Sequence, residues 1–493
     1  MQGRKDYQER LFTNFQLSDR VPEDNFYRRL KSAIKWDFIP QSTRRYYGAE
    51  GQQSIDPIVF FKLILVGYLE NVASDRRIIG IASMRLDILF FLGYNIDESL
   101  PWHSTLSRTR QLYGEEVFKG IFKTVLKQCI DQGIVAGRRQ AVDSALIKAN
   151  ASLSSIVKKE IIDDGDRFAD ELLAQEGEGT EDPIKNDNTQ TGRQAKLKST
   201  ADKARKPFSN QTHASTTDSD SRLAVKPGKP SQLNYLAQTS VDTACHVITH
   251  IHADYADKRD SQCLPKVLDG LFENLRAEGI LLDEIIADSG YSSGAALKRL
   301  EEERIMGYIP NPGKYKADRE GFTYHAQGDY YTCSQGQELH FKNIRDKDSY
   351  PVKEYSPAAR QCKHCPIRET CIGKLPRKVI RDTIDKPYYD RMHQRLQSPY
   401  SRKMSKVRQS TVEPVLGTLI NFLGLRRLNT RGILSANKCM LMAATAYNLK
   451  KLLKYKTSKA IERVTGYLQQ DYDSLINLTN SAKKLHTGLS RSI

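Results

Sequence analysis

The sequence predicts an α/β protein: an all-helical N-terminal domain over residues 1–135, then a mixed sheet flanked by helices over 136–460, interrupted by insertions at 153–232 and 312–388, and a C-terminal tail at 461–493. Three observations carry this. Apolar residues recur at helical spacing through the first part, short alternating runs replace them from Arg138 onward, and two stretches fit neither pattern. The 493 residues, 39% hydrophobic and 27% charged, are those of a globular chain able to bury a sizeable core.

The helices come first. Asp56-Pro57 is a helix start, a capping carboxylate followed by proline in the first turn. The apolar run it opens, Pro57 to Leu69, is broken by Lys62 and falls short of the ~20 residues of a membrane span, so a core helix and no membrane partner are expected. A second block runs from Ser74 or Asp75 to Leu92 and stops at Gly93. A third follows Pro101-Trp102-His103-Ser104-Thr105, with Ser104 or Thr105 as cap and Arg108 and Arg110 on its polar side. A helix-turn-helix DNA reader fits this pattern, and so does a plain bundle with solvated arginines. The start, Met1-Gln2-Gly3-Arg4-Lys5-Asp6, lacks an apolar export segment, so a cytoplasmic protein is expected.

The sheet follows. Arg139 to Ile147 reads as a strand ending near Asp143, and Leu233–Thr243 and His246–Ala253 as a pair joined at Ala244-Cys245. A helix is expected over Cys263–Glu278, a buried strand over Leu281–Ala287 running into Asp288, and a helix over Gly294–Glu303.

The first insertion is polarised. Residues 155–190 hold 11 acidic and 4 basic side chains, residues 191–230 hold 9 basic and 3 acidic, and both are poor in apolar residues, as a flexible segment would be. The second gathers Cys333, Cys362, Cys365 and Cys371 in the spacing C-x28-C-x2-C-x5-C. Four thiolates with a C-x2-C pair suit a structural zinc ion, with His364 as a competing ligand; free reduced thiols are the other reading. Tyr324, Tyr330, Tyr331 and Tyr350 nearby could stack on bases or form the core of a small β-insertion.

Charge points to a partner. The formal net charge is +17, and residues 371–460 alone hold 20 Lys and Arg against 4 acidic residues. So one-sided a segment suits phosphates. Asp143 and Asp288 stand where strand-like runs end, and Glu413 stands early in an expected helix with Pro414 in its first turn. A lone acidic residue at such a place is usually a turn former or cap; three that converged would hold two divalent cations.

Their surroundings resemble a known family. Val142-Asp143-Ser144 with Ala149-Asn150-Ala151-Ser152, then Ala287-Asp288-Ser289-Gly290-Tyr291-Ser292-Ser293, then Val412-Glu413-Pro414-Val415-Leu416-Gly417 with Arg426-Arg427 and Thr430-Arg431-Gly432, resemble the three catalytic motifs of bacterial insertion-sequence transposases of the DDE type. Ile55 to Lys62, Ser74 to Arg77 and His103 to Arg108 resemble the helical N-terminal domain common in that group, and the resemblance spans roughly residues 20–455. It implies an RNase H-like sheet in which Asp143, Asp288 and Glu413 hold two Mg²⁺ or Mn²⁺ ions for cleavage of transposon ends and strand transfer into target DNA. It also implies a homodimer on DNA, in the bacterial cytoplasm at the nucleoid. The expected DNA contacts are Arg108, Arg110, Arg402, Lys403, Lys406, Arg408, Arg426, Arg427 and Arg431. One departure stands out: relatives often carry Lys or Arg seven residues after the glutamate, and here that position is Ile420. A nuclease that cuts without joining, and a non-catalytic DNA-binding descendant of a transposase, are the rival readings.

Overall fold

A computed structural model of the chain describes residues 15–48, 50, 53–160, 208–225, 230–313, 315–317, 319–347 and 350–455. In its helical part, α1 (Phe26–Ala33) is capped by Asn25, whose side chain accepts from the Tyr27 and Arg28 N–H groups. α2 (Pro57–Leu69) starts where expected, with Asp56 accepting from the Ile58 N–H. Lacking a polar face, α2 is buried along most of its length, Lys62 included. The block expected over Ser74–Leu92 is two helices, α3 (Asp75–Met84) and α4 (Leu86–Leu92), separated by an extended Arg85 that pairs with Asp87 and Glu70. α5 (His103–Leu112) follows, with Trp102 and not Ser104 or Thr105 at its N-cap position and no side chain capping it, and then α6 (Glu115–Asp131).

The sheet is built on β1 (Arg139–Lys148). β2 (Gln232–Asp242) pairs antiparallel with β1, and β3 (Ile248–Tyr255) antiparallel with β2. β4 (Glu284–Ile286) lies parallel to β1 on its other side, and β5 (Met306–Tyr308) parallel to β4. The order β3-β2-β1-β4-β5, with only β2 reversed against the others, is that of an RNase H-like sheet. α7 (Asp260–Leu275) connects β3 to β4, and α8 (Gly294–Glu302) connects β4 to β5. β1 does not end near Asp143 as expected. It continues to Lys148 because Ala145 and Ile147 keep burying one face while Ser144, Leu146 and Lys148 on the other stay partly exposed.

The expected flexible insertion over 153–232 is folded at both ends: Ile156–Lys158 pairs with His213–Ser215, and Arg222–Ala224 pairs with β2. Most of its charged middle lies outside the described residues, as does the tail over 461–493. The second insertion is an antiparallel sheet of β6 (Phe322–His325), β7 (Tyr330–Cys333), β8 (Glu338–Lys347), β9 (Tyr350–Ser356) and β10 (Ile380–Thr383), ordered β10-β9-β8-β7-β6. Tyr331, Leu339, Tyr355 and Ile380 form its core, with Tyr324 packed against them.

Three helices complete the chain: α9 (Lys386–Leu396), α10 (Pro399–Phe422) and α11 (Ile433–Lys454). α10 runs alongside β1 in the same direction, its Tyr400 hydroxyl meeting Arg139 at 2.5 Å and its Arg408 meeting Asp143. α11 is buried between the sheet and the N-terminal helices; the Asn448 amide bonds both backbone groups of Ile248, and the Lys438 ammonium is held by the Arg110 and Tyr113 carbonyls. Among the described residues one continuous core joins helices and sheet.

Candidate active site

Register places the first two carboxylates. β1 and β4 pair as Gln140 with Ile285 and Ala141 with Ile286. Extending that register two places sets Asp288 level with Asp143. Asp288 there caps a short turn, Ser289–Tyr291, by accepting from the Gly290 N–H at 2.9 Å. Burial pushes the Asp143 carboxyl up and the Asp288 charge adds to it, while the Ser144 N–H and Arg408 oppose.

The third carboxylate arrives on α10. Glu413 was expected early in its helix, yet the helix begins at Pro399 and Pro414 lies inside it. Proline is tolerated there because Pro414 and Ser410, whose carbonyl loses its donor, both lie on the exposed face. Arg408 then joins the two ends of the site. Its guanidinium donates to Asp143 Oδ2 at 2.8 Å and to Glu413 Oε1 at 3.1 Å.

A supporting network is absent from the sequence reading. The Tyr291 hydroxyl donates to Gln238 Oε1 at 2.5 Å, and Gln238 Nε2 donates to Asp260 Oδ1 at 3.0 Å. Tyr291 is buried, its hydroxyl pushed well above its usual pKa by desolvation and then by the nearby carboxylates, so it stays a neutral donor that ties the Asp288 turn to β2. Gly290 lets Asp260 approach: a Cβ there would stand 3.0 Å from Asp288 Oδ1 and 3.3 Å from Asp260 Oδ2. The small residues of Asp288-Ser289-Gly290 were the available signal; Gln238 and Asp260 gave none.

The donor set suits hard divalent cations, since it offers carboxylate oxygens and no competing soft ligand. Among the described residues no three His, Cys, Asp or Glu side chains form a ready cation cluster. A cationic group already stands between two of the three carboxylates, as their mutual repulsion requires.

The expected DNA contacts divide. Arg402, Lys403 and Lys406 are exposed on α10 ahead of Arg408, and Arg426, Arg427 and Arg431 are exposed in the loop after it. Arg108 is exposed on α5, donating to Ser104 Oγ at 3.3 Å. Arg408 is turned inward onto the carboxylates. Arg110 is a correction: it is 8% exposed and its guanidinium grips both oxygens of Asp75, at 3.0 and 2.7 Å, so it fastens α5 to α3 and presents nothing to a phosphate.

Cys333, Cys362, Cys365 and Cys371 are free thiols, all half-buried, and all line one cavity of about 380 Å³ beside the insertion sheet. His364 does not line it. No helix among the described residues is long and apolar enough to cross a membrane.

Two family models match the chain: the transposase domain DUF772 over residues 15–112, and a transposase DDE domain over residues 332–453, which contains Arg408 and Glu413. No curated protein matches it. A solved structure titled as a piggyBac transposase synaptic complex with hairpin DNA is similar at 10% identity and a TM-score of 0.30, covering 88% of this chain and 76% of that one.

Proposed function

The chain belongs to the DDE-type transposases, and from that premise we propose that it cuts DNA at transposon ends and joins the freed ends to target DNA, with Asp143, Asp288 and Glu413 as ligands of two Mg²⁺ or Mn²⁺ ions. What supports this reading is that Arg408 bonds both Asp143 and Glu413, while the Asp288 charge acts on Asp143. Carboxylates far apart in sequence come from the centre of the sheet, the turn after β4 and α10, and Arg408 spans two of them.

Bound there, a divalent pair supplies the positive charge that activates an attacking oxygen and steadies the leaving one. The chain's own groups supply position. Asp143 is fixed by β1, Asp288 by the Gly290 N–H and the Tyr291 anchor, and Glu413 by a helix that runs beside β1. Arg408 keeps Asp143 and Glu413 close in the absence of a cation and is then free to meet a phosphate once they are engaged. Arg402, Lys403 and Lys406 neutralise backbone phosphates near the site. Two ends must be paired for transposition, so the working unit on DNA is a homodimer at the bacterial nucleoid. The four cysteines line one cavity, and drawn together they would hold a structural zinc ion that fastens the short helices after β9 to the insertion sheet.

The test is a joining assay. Labelled duplexes ending in the DNA that flanks the coding sequence, already cut, are incubated with a target plasmid and Mg²⁺. Label transferred to the plasmid is expected; cleavage of uncut ends with no joined product would make the chain a nuclease and overturn the proposal.

A further inference from the structure

The cation missing at position 420 has a replacement in space. Ile420 sits two residues before the end of α10 and lines a cleft of about 390 Å³ with Leu146 and Lys148 of β1, Asn234 of β2, and Arg426 from the loop after α10. Lys148 and Arg426 are the two cations of that cleft, and neither forms an ion pair with any described residue. The cleft opens along β1 on the side of Asp143 away from Arg402, Lys403 and Lys406, because α10 and β1 run in the same direction.

The loop is held rigidly. The Leu428 N–H donates to the Lys148 carbonyl at 2.9 Å, which extends β1 by one bridge to Arg427. Asn429 Nδ2 donates to the Ala73 carbonyl at 2.6 Å, and Asn71 donates to the Asn421 carbonyl and accepts from the Gly424 N–H. The turn between α2 and α3 is thereby pinned to the same loop, with exposed Arg76 and Arg77 just beyond it. The acid in that stretch, Asp75, is consumed by Arg110.

We propose that Lys148 and Arg426 form a phosphate clamp that grips the transposon end three to five base pairs inside the bond being broken, taking the place of the basic residue absent at Ile420. This rests on the transposase reading. The spacing takes the DNA to run along β1 and α10: Ile420 lies seven helical residues beyond Glu413, about 10 Å, and Lys148 lies five strand residues beyond Asp143, about 17 Å. At ~3.4 Å per base pair those distances correspond to about three and five pairs. The same loop leads to α3 and the N-terminal helices, which the transposase reading sets on transposon DNA, so the clamp is assigned to the transposon side of the cut.

Binding of flanking-end duplexes would be measured against salt for the wild type, for Lys148→Ala/Arg426→Ala, and for that double variant with Ile420→Arg added. Two lost phosphate contacts flatten the slope of log K against log[salt] by about 1.8, so the wild type loses about tenfold more affinity than the double variant between 50 and 200 mM salt. The added Ile420→Arg is expected to return about half of the slope. Duplexes carrying one neutral methylphosphonate, scanned along both strands on both sides of the cut, are expected to weaken wild-type binding at positions three to five inside the transposon and to make no difference there in the double variant. An unchanged slope, or interference confined to the flank, would overturn the clamp while leaving the joining reaction intact. Wild-type protein that neither prefers these ends nor joins them would overturn the transposase reading itself.

Discussion

Replacing Arg408 with alanine removes the group that holds Asp143 against Glu413. The two contacts are unequal. The one to Glu413 ends on a side chain 52% exposed and contributes at most about 1 kcal/mol. The one to Asp143 links side chains only 12% and 17% exposed, and its loss leaves a shielded carboxylate beside Asp288 with no cation. Breaking such a pair from one side costs about 3 kcal/mol, the lower end of the range because Asp143 keeps some access to water. At ~2 °C per kcal/mol for a domain of this size, Arg408→Ala should unfold about 6 °C below the wild type in EDTA. Magnesium should reverse the order of gains. A ligand at a hundred times its Kd adds about 2.7 kcal/mol, and in the variant it enters a site with no guanidinium to displace. Thermal unfolding of both proteins, in EDTA and across a magnesium series, measures this directly. Equal melting temperatures in EDTA, or a magnesium-induced rise no larger in the variant than in the wild type, would refute the picture of Arg408 as the cation between two metal ligands.

Other consequences are simpler to check. Burial pushes the Lys62 ammonium down to about 8, with Lys31 adding to the effect and Asp56 opposing it. The unfolded chain therefore binds more protons between pH 8 and the ordinary lysine value near 10.5, so the cost of burying this charge is full below pH 8 and fades as pH rises. Lys62→Met should raise stability at pH 7 by up to about 3 kcal/mol in denaturant unfolding, with the advantage shrinking towards pH 10.5; a constant advantage across that window would contradict the assignment. Gly270→Ala would place a Cβ 2.0 Å from the ring of His250, which is buried and bonded to His252 at 2.8 Å and so cannot swing aside. A loss of about 1–3 kcal/mol is expected, and an unchanged melting temperature would show that the helix can shift. Elemental analysis should find about one zinc per chain, falling when Cys362 and Cys365 are replaced by serine; zinc-free protein with an unaltered fold would discard that site.

The residues of the proposed site were picked out by their local pattern. Asp143 and Asp288 each follow an apolar run and precede small residues, and both stand at the sheet, level with one another. What could not be read was geometry between distant segments. The pairing order that sets Asp288 beside Asp143 depends on long-range contacts with no local signature, and Asp260 looked like an ordinary first-turn acid. Arg108 and Arg110 were read as one polar face, yet two residues on a helix turn the chain through about 200°, so one of the pair had to point inward. Asp75, the partner that makes burial of Arg110 tolerable, lies on another helix. Pro414 misled in the same local way. Proline usually marks a first turn, but an exposed helix face can accommodate it, and Ser398-Pro399 was the true start.

The central claim is that Asp143, Asp288 and Glu413 act as one metal-dependent strand-transfer centre. Joining of pre-cut ends to a target plasmid in Mg²⁺, measured side by side for the wild type and for Asp143→Asn, Asp288→Asn and Glu413→Gln with end binding verified for each, tests it most directly. The expected result is joined product from the wild type alone, with all three variants still bound to the ends. Joining that survives in any one of the three would remove that residue from the centre, and no joining by the wild type would contradict the claim as a whole.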